Sequence, residues 1–165
     1  MLSIDTITML WDYTHWANER LRQSLATIST QDFERDNPYG VGSLHQHAVH
    51  MMWAEALWLA RLRESGAAFR WDVQKYPTLE VITARWQQVE RDWRTYLSAL
   101  SDDDLTRTFE AHATSGRFTH TIGTMLLHLV NHGTDHRAQM LRLIGDYGGQ
   151  TFEQDLIYYL RHVSQ

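Results

Sequence analysis

The chain has 165 residues, 43% hydrophobic and 12% aromatic, enough for one domain with a sizeable core, short for two, and too apolar for disorder. The formal charge is −5 and no basic run interrupts the sequence, so nucleic acid is not an expected partner. The absence of cysteine excludes disulfides, thiolate metal sites, iron–sulfur clusters and a protein thiol nucleophile.

The opening residues, Met1 to Asp5, carry no basic segment, and no run of about 18 apolar residues occurs anywhere. Neither a signal peptide nor a membrane span is expected, and cytoplasm is the default compartment. From Ile4 the apolar positions Ile4, Ile7, Trp11, Leu21, Leu25 and Ile28 follow the spacing of an amphipathic first helix of about 25 residues. A polar loop through Asn37-Pro38-Tyr39-Gly40 leads to Ser43-Leu44-His45-Gln46, a capping-box pattern that starts a second helix ending near Gly66. After Pro77 the stripe Leu79, Ile82, Trp86, Val89, Trp93, Leu97 and Leu100 marks a third helix, which Ser101-Asp102-Asp103-Asp104 stops. Residues 106–119 alternate around Thr114-Ser115-Gly116, the pattern of a short hairpin. A fourth helix from Thr121 turns Met125, Leu129, Met140 and Leu143 inward and is expected to end on Gly145 as a left-handed cap. Phe152 to Val163 reads as a short terminal helix packing Phe152, Leu156 and Leu160. Together these elements describe an all-α chain, a four-helix bundle with a hairpin before its fourth helix, forming a single domain over residues 1–165.

Polar residues on an inward stripe are informative, because an unpaired buried polar group costs about 1–3 kcal/mol. Thr14 and Asn18 interrupt the first helix, His50 shares a face with Trp53, Ala54 and Leu57, and His132 and His136 stand between Leu129 and Met140 with His128 one turn earlier. The interior is therefore expected to be polar at its middle. Histidines four apart are separated by about 40° and about 6 Å on a helix, so two imidazoles can turn toward one ion. With 10 His in the chain, one such pair is expected about 0.6 times by chance, but the series His128, His132, His136 only about 0.03 times.

A third ligand has to come from another helix, and His50 is the best candidate, since His45 lies on the first turn and His47 is offset. His50 lies seven residues after Ser43 and His136 eight before Ile144. In antiparallel helices these two would match in height to about 2 Å, pairing His50 with His132 and His136 and leaving His128 as a neighbour or a core residue. Three imidazoles suit Zn, Ni, Fe or Mn and leave coordination positions open, as structural zinc sites do not. A di-iron carboxylate centre needs Glu-x-x-His pairs, and the chain has none. Haem held between two histidines fits three converging imidazoles badly.

Three segments resemble the DinB family, which includes the YfiT-like proteins: Tyr13-Thr14-His15-Trp16-Ala17-Asn18-Glu19-Arg20-Leu21; Ser43 to His50 with Glu55 and Trp58; and the stretch from Leu127 to Gln139 containing His132-Gly133-Thr134-Asp135-His136-Arg137. Asp155 to Leu160 resembles the family's last helix, and Ala138 stands where the family often has glycine. The resemblance implies a four-helix bundle with a long crossover between helices two and three, a metal triad of His50, His132 and His136, and a homodimer; the Trp-rich surfaces of helices two and three read as core, or in one strip as that dimer's interface.

It also implies a metal-dependent enzyme acting on a small molecule, transferring a low-molecular-weight thiol to an electrophile, or else a hydrolase. In these the reactive group would be a metal-bound thiolate or water. A divalent ion lowers a thiol's pKa, and a chain without cysteine has to borrow its thiol. Asn18 and Thr14 are candidates to orient the bound water or substrate, or to make an interhelical hydrogen bond. Arg137 and Gln139 read as solvated or interface residues. A non-enzymatic metal-binding stress-response module is the remaining alternative.

Overall fold

The computed structural model describes residues 2–63, 72–113 and 116–164. Gly66, the expected end of the second helix, and Thr114-Ser115 of the turn lie outside the described residues. Four long helices form the body: α1 (Ile4–Leu25), α3 (Leu44–Leu62), α4 (Leu79–Leu97) and α5 (Ile122–Asp146). To these are added a short α2 (Thr30–Glu34), a β1 (Thr108–Ala113) and β2 (Gly116–Thr121) hairpin, and the terminal α6 (Leu156–Val163).

Each long helix begins where a side chain can satisfy free backbone N–H groups: Ser3 on α1, Ser43 on α3, Thr78 on α4 and Thr121 on α5. The capping box is complete. Gln46 N donates to Ser43 Oγ at 3.2 Å, and Ser43 N donates to Gln46 Oε1 at 2.8 Å. The aspartate run after α4 reaches across the molecule, where Asp102 Oδ1 accepts from Ile4 N at 2.7 Å and ties the end of α4 to the start of α1.

Side-chain pairs fix the directions. Trp11 stacks on Trp93 while Arg22 bonds Glu90, so α1 and α4 are antiparallel. His47 meets His136 and Trp58 meets His128, so α3 and α5 are antiparallel too. Asn18 meets Arg137, and Thr14 lies against Gly133, so α1 and α5 are parallel. It follows that α3 and α4 also run parallel, and the chain between them has to travel the length of the bundle. It has done so by Tyr76, whose carbonyl oxygen lies 2.7 Å from His45 Nε2 at the start of α3. This is the long crossover the family resemblance implied. The interior divides into an apolar cluster around Leu21, Met52, Trp86 and Met140 and another around Ile7, Trp93, Leu126 and Leu129.

Local expectations are corrected in five places. The first helix stops at Leu25, and α2 with its own Ser29 cap follows, so Ile28 packs from the connection. Helix α4 ends at Leu97, leaving Leu100 beyond it. Gly145 sits inside α5, and the left-handed glycine is Gly148, at φ 78°. In α6 the inward residue is Tyr159, packed with Leu156 against Tyr13, whereas Leu160 is exposed; Phe152 precedes the helix. The hairpin, expected over residues 106–119, runs from Thr108 to Thr121 and pairs Thr108 with Thr121 and Ala113 with Gly116 in antiparallel register.

Candidate metal centre

His50 from α3 and His132 and His136 from α5 converge. One nitrogen from each ring forms a set in which all pairs lie within 4.8 Å. The Nε2 atoms of His50 and His132 are 3.3 Å apart, and the His136 ring centroid stands 4.6 Å from that of His50 and 4.4 Å from that of His132. Two imidazole nitrogens bonded at about 2.0–2.1 Å to a tetrahedral ion are separated by about 3.3–3.4 Å, so the first pair already has the spacing of a ligand edge. The Nδ1 atom of His136 is sealed from solvent with no hydrogen-bond partner among the described residues. Buried polar atoms left unpaired are uncommon, and a cation is one group that satisfies an imidazole lone pair. Among the described residues no carboxylate joins the cluster.

Electrostatics favour the neutral rings that a metal requires. Burial, with His136 and His47 adding to it, pushes His50 down to about 4; burial together with His136, His50 and His128 pushes His132 down to about 3. Burial and His47 also lower His136, partly opposed by Asp135 and Gln139.

The triad sits at the edge of the bundle. All three rings are half-buried, while the deep stripe of α5 runs through Leu126, Gly133, Arg137 and Met140. The polar middle expected of the interior exists, but it is built from Asn18, Glu55 and Arg137. Asn18 is fully buried; its Oδ1 accepts from Arg137 Nη1 at 3.1 Å and its Nδ2 donates to Glu55 Oε1 at 3.1 Å. Glu55 Oε2 accepts from Trp86 Nε1 at 3.0 Å. Burial, then the neighbouring Glu90, raises the Glu55 carboxyl to about 8. Arg137, expected at the surface, is buried over the Tyr13 ring and also donates to Thr134 Oγ1. Gly133 makes room for it, since a Cβ there would stand 2.9 Å from Arg137 Nη1.

Of the other candidates, Asn18 makes the interhelical hydrogen bond, and Thr14 Oγ1 donates back to Leu10 O within its own helix. His128 is not core: it is exposed, with its ring 5.8 Å from His132 and 6.2 Å from Trp58, and it is outside the ligand cluster. His47, offset from the triad as expected, is buried with Nδ1 3.0 Å from Ser43 O and Nε2 accepting from Val41 N. Glu55 and Arg137 carried one readable signal each: a carboxylate on the apolar face of α3, and a glycine four residues before an arginine.

The DinB family model matches residues 3–162, and the chain belongs to the DinB family. The fold is shared with a DinB-like protein from Bacillus cereus, at 21% identity and a TM-score of 0.69, covering 92% of this chain and 97% of that one. YfiT from Bacillus subtilis, described as a probable metal-dependent hydrolase with an unusual four-helix bundle topology, aligns at 16% identity and a TM-score of 0.68 over 91% of this chain and 92% of its own. A conserved protein from Enterococcus faecalis aligns at 12% identity and a TM-score of 0.65 over 83% and 94%. No curated protein matches the sequence. Among the described residues no helix is long and apolar enough to cross a membrane.

Proposed function

We propose that His50, His132 and His136 hold a divalent metal ion of the Zn, Ni, Fe or Mn type, and that the protein uses it to transfer a low-molecular-weight thiol to a small electrophile. The observation that carries this reading is the approach of three neutral imidazole nitrogens within 4.8 Å at a half-exposed position. Such an ion supplies Lewis acidity, which brings the pKa of a coordinated thiol or water toward neutrality. The chain's own part is to keep three lone pairs aimed at one point and unprotonated, and to leave one side open to solvent. Thiol transfer is placed before hydrolysis because, among the described residues, no carboxylate joins the triad as a general base, so the coordinated group has to be the nucleophile itself, and a thiolate is the stronger one near neutral pH. The chain supplies no thiol of its own. Hydrolysis is the second reading, supported by the description of YfiT.

Elemental analysis of the purified protein beside His132→Ala tests the first step, with about one equivalent of metal expected in the parent and loss in the variant. The metal-loaded protein is then offered cysteine with an activated aryl halide, and separately a nitrophenyl ester. Chelator-sensitive thiol consumption supports transfer, and ester cleavage without thiol supports hydrolysis. Bound metal with neither activity leaves a non-enzymatic metal-binding module. A parent that takes up no divalent ion under non-chelating conditions overturns all three.

A further inference from the structure

Two buried polar atoms at the triad are left without a hydrogen-bond partner among the described residues: Nδ1 of His136 and Oε1 of Gln139. Gln139, expected at the surface or an interface, is half-buried. The two residues lie three apart on α5, where side chains are neighbours across a turn. A cation would satisfy the imidazole nitrogen but not the amide oxygen, which is an acceptor and needs an N–H or O–H. One hydrogen bond between them satisfies both.

The surroundings narrow the choice of donor. Gly40, at φ 61°, brings its backbone against the amide: a Cβ there would stand 3.0 Å from Gln139 Oε1 and 2.7 Å from His47 Nε2. His47 is already committed. Its Nδ1 faces the acceptor Ser43 O at 3.0 Å and so carries the ring proton, while its Nε2 accepts from Val41 N at 3.3 Å. The amide is oriented from its other end, since Gln139 Nε2 donates to Asp135 Oδ2 at 3.1 Å. A carboxylate only accepts, so this bond settles which amide atom is the nitrogen and leaves Oε1 as the free acceptor. Gln139 also holds the His136 pKa up against burial, the sign expected of an oxygen beside a ring N–H.

We propose that Gln139 is a positioning residue for the metal centre: its Oε1 accepts the Nδ1 proton of His136, which fixes the ring's tautomer and leaves Nε2 as the nitrogen offered to the ion. This role rests on the metal reading proposed above and deepens it by naming the nitrogen. Acceptors placed behind a ligand ring orient it and make it more basic.

Long-range proton–nitrogen NMR reads which nitrogen of His136 carries the proton, and competition with a chromophoric chelator reads zinc affinity. Nδ1 is expected to be protonated in the metal-free protein at about pH 8, where the ring is neutral, and to remain so when zinc is added. Gln139→Leu, which offers no acceptor, is expected to bind zinc about 10- to 100-fold more weakly. Gln139→Glu keeps an oxygen in place and is expected to bind within about threefold of the parent, a rescue that a merely structural side chain would not show. Any one of four results overturns the positioning role: the proton on Nε2 in the metal-free protein, zinc carried on Nδ1, parental affinity in Gln139→Leu, or Gln139→Glu as weak as Gln139→Leu. A parent that takes up no zinc overturns the metal reading, and the positioning role with it; zinc uptake by the parent together with one of those four overturns the positioning role alone.

Discussion

Replacing Asn18 by Ala removes the one side chain that bridges Arg137 on α5, Glu55 on α3 and, at 3.4 Å, Glu90 on α4. Its site is fully buried, so water does not reach the groups left behind without repacking. Arg137 Nη1 and Glu55 Oε1 each lose a partner, at about 1–3 kcal/mol apiece, giving a loss of about 2–6 kcal/mol. Against a total of about 5–15 kcal/mol this is a large fraction, and at about 2–4 °C per kcal/mol it lowers Tm by about 5–20 °C. Urea denaturation followed by circular dichroism, in chelator so that metal does not contribute, measures it directly. The pair Asn18→Leu with Arg137→Met removes donor and acceptor together and is expected to cost less than the sum of the two single changes. A loss below about 0.5 kcal/mol for Asn18→Ala, the size of an ordinary surface change, would refute the view that this residue joins the helices.

Glu55 gives a pH signature of defined sign. Its folded pKa, about 8, lies above the unfolded carboxyl value, so its contribution is complete at acidic pH and is lost as pH rises toward 8, with a slope approaching about 1.4 kcal/mol per unit. His15, His50 and His132 have lowered pKa values and act oppositely, but only as pH falls below about 6.5. Stability of the metal-free protein should therefore decline between pH 6.5 and 8, and denaturation of Glu55→Gln over that window should show a flatter profile. Gly133→Ala gains about 1 kcal/mol of helix propensity yet sets a methyl 2.9 Å from an Arg137 nitrogen already bonded to Asn18, so a net loss of about 1 kcal/mol is expected by denaturation. Gly40→Ala combines a φ of 61° with a Cβ 2.7 Å from His47 Nε2, which is engaged with Val41 N; a loss of about 1–3 kcal/mol is expected in the same assay.

The parts of the fold legible in the sequence are those where local chemistry decides. The Ser43–Gln46 box needs only four residues, and the helix stripes need only their own periodicity. The match in height between His50 and His136 followed from counting residues once an antiparallel pair was assumed, and the structure supplies that pair through His47–His136 and Trp58–His128. What escaped depends on partners far away in the chain. Arg137 is charged and reads as exposed, and only Asn18, Tyr13 and the space above Gly133 make its burial tolerable. The same periodicity that put His132 and His136 near the inward stripe could not distinguish its centre from its edge, about 100° around the helix. Residue type favours Gly145 as a cap, but the chain continues helical to Asp146 before Gly148 takes the left-handed conformation.

That separation between centre and edge gives Asn18 a bearing on the proposed metal site, which it does not touch. Arg137 follows His136 by one residue, so fixing its side chain on Asn18 fixes the rotation of α5 and with it the aim of His132 and His136 toward α3. At a side-chain radius of about 6 Å, a rotation of 10° moves an imidazole by about 1 Å. A coordination bond tolerates about 0.2 Å, so even a small slip is felt. If the proposed triad takes zinc, Asn18→Ala is thus expected to weaken that binding by about tenfold or more, in the range found when groups supporting a ligand are removed. Competition with a chromophoric chelator measures this, with Leu97→Ala as a control that lowers stability from the buried end of α4 without touching the polar hub. Equal zinc affinity in Asn18→Ala and the parent would mean that Leu126, Leu129, Met140 and Ile144 set the rotation of α5 by apolar packing alone, and that the buried polar hub serves stability only.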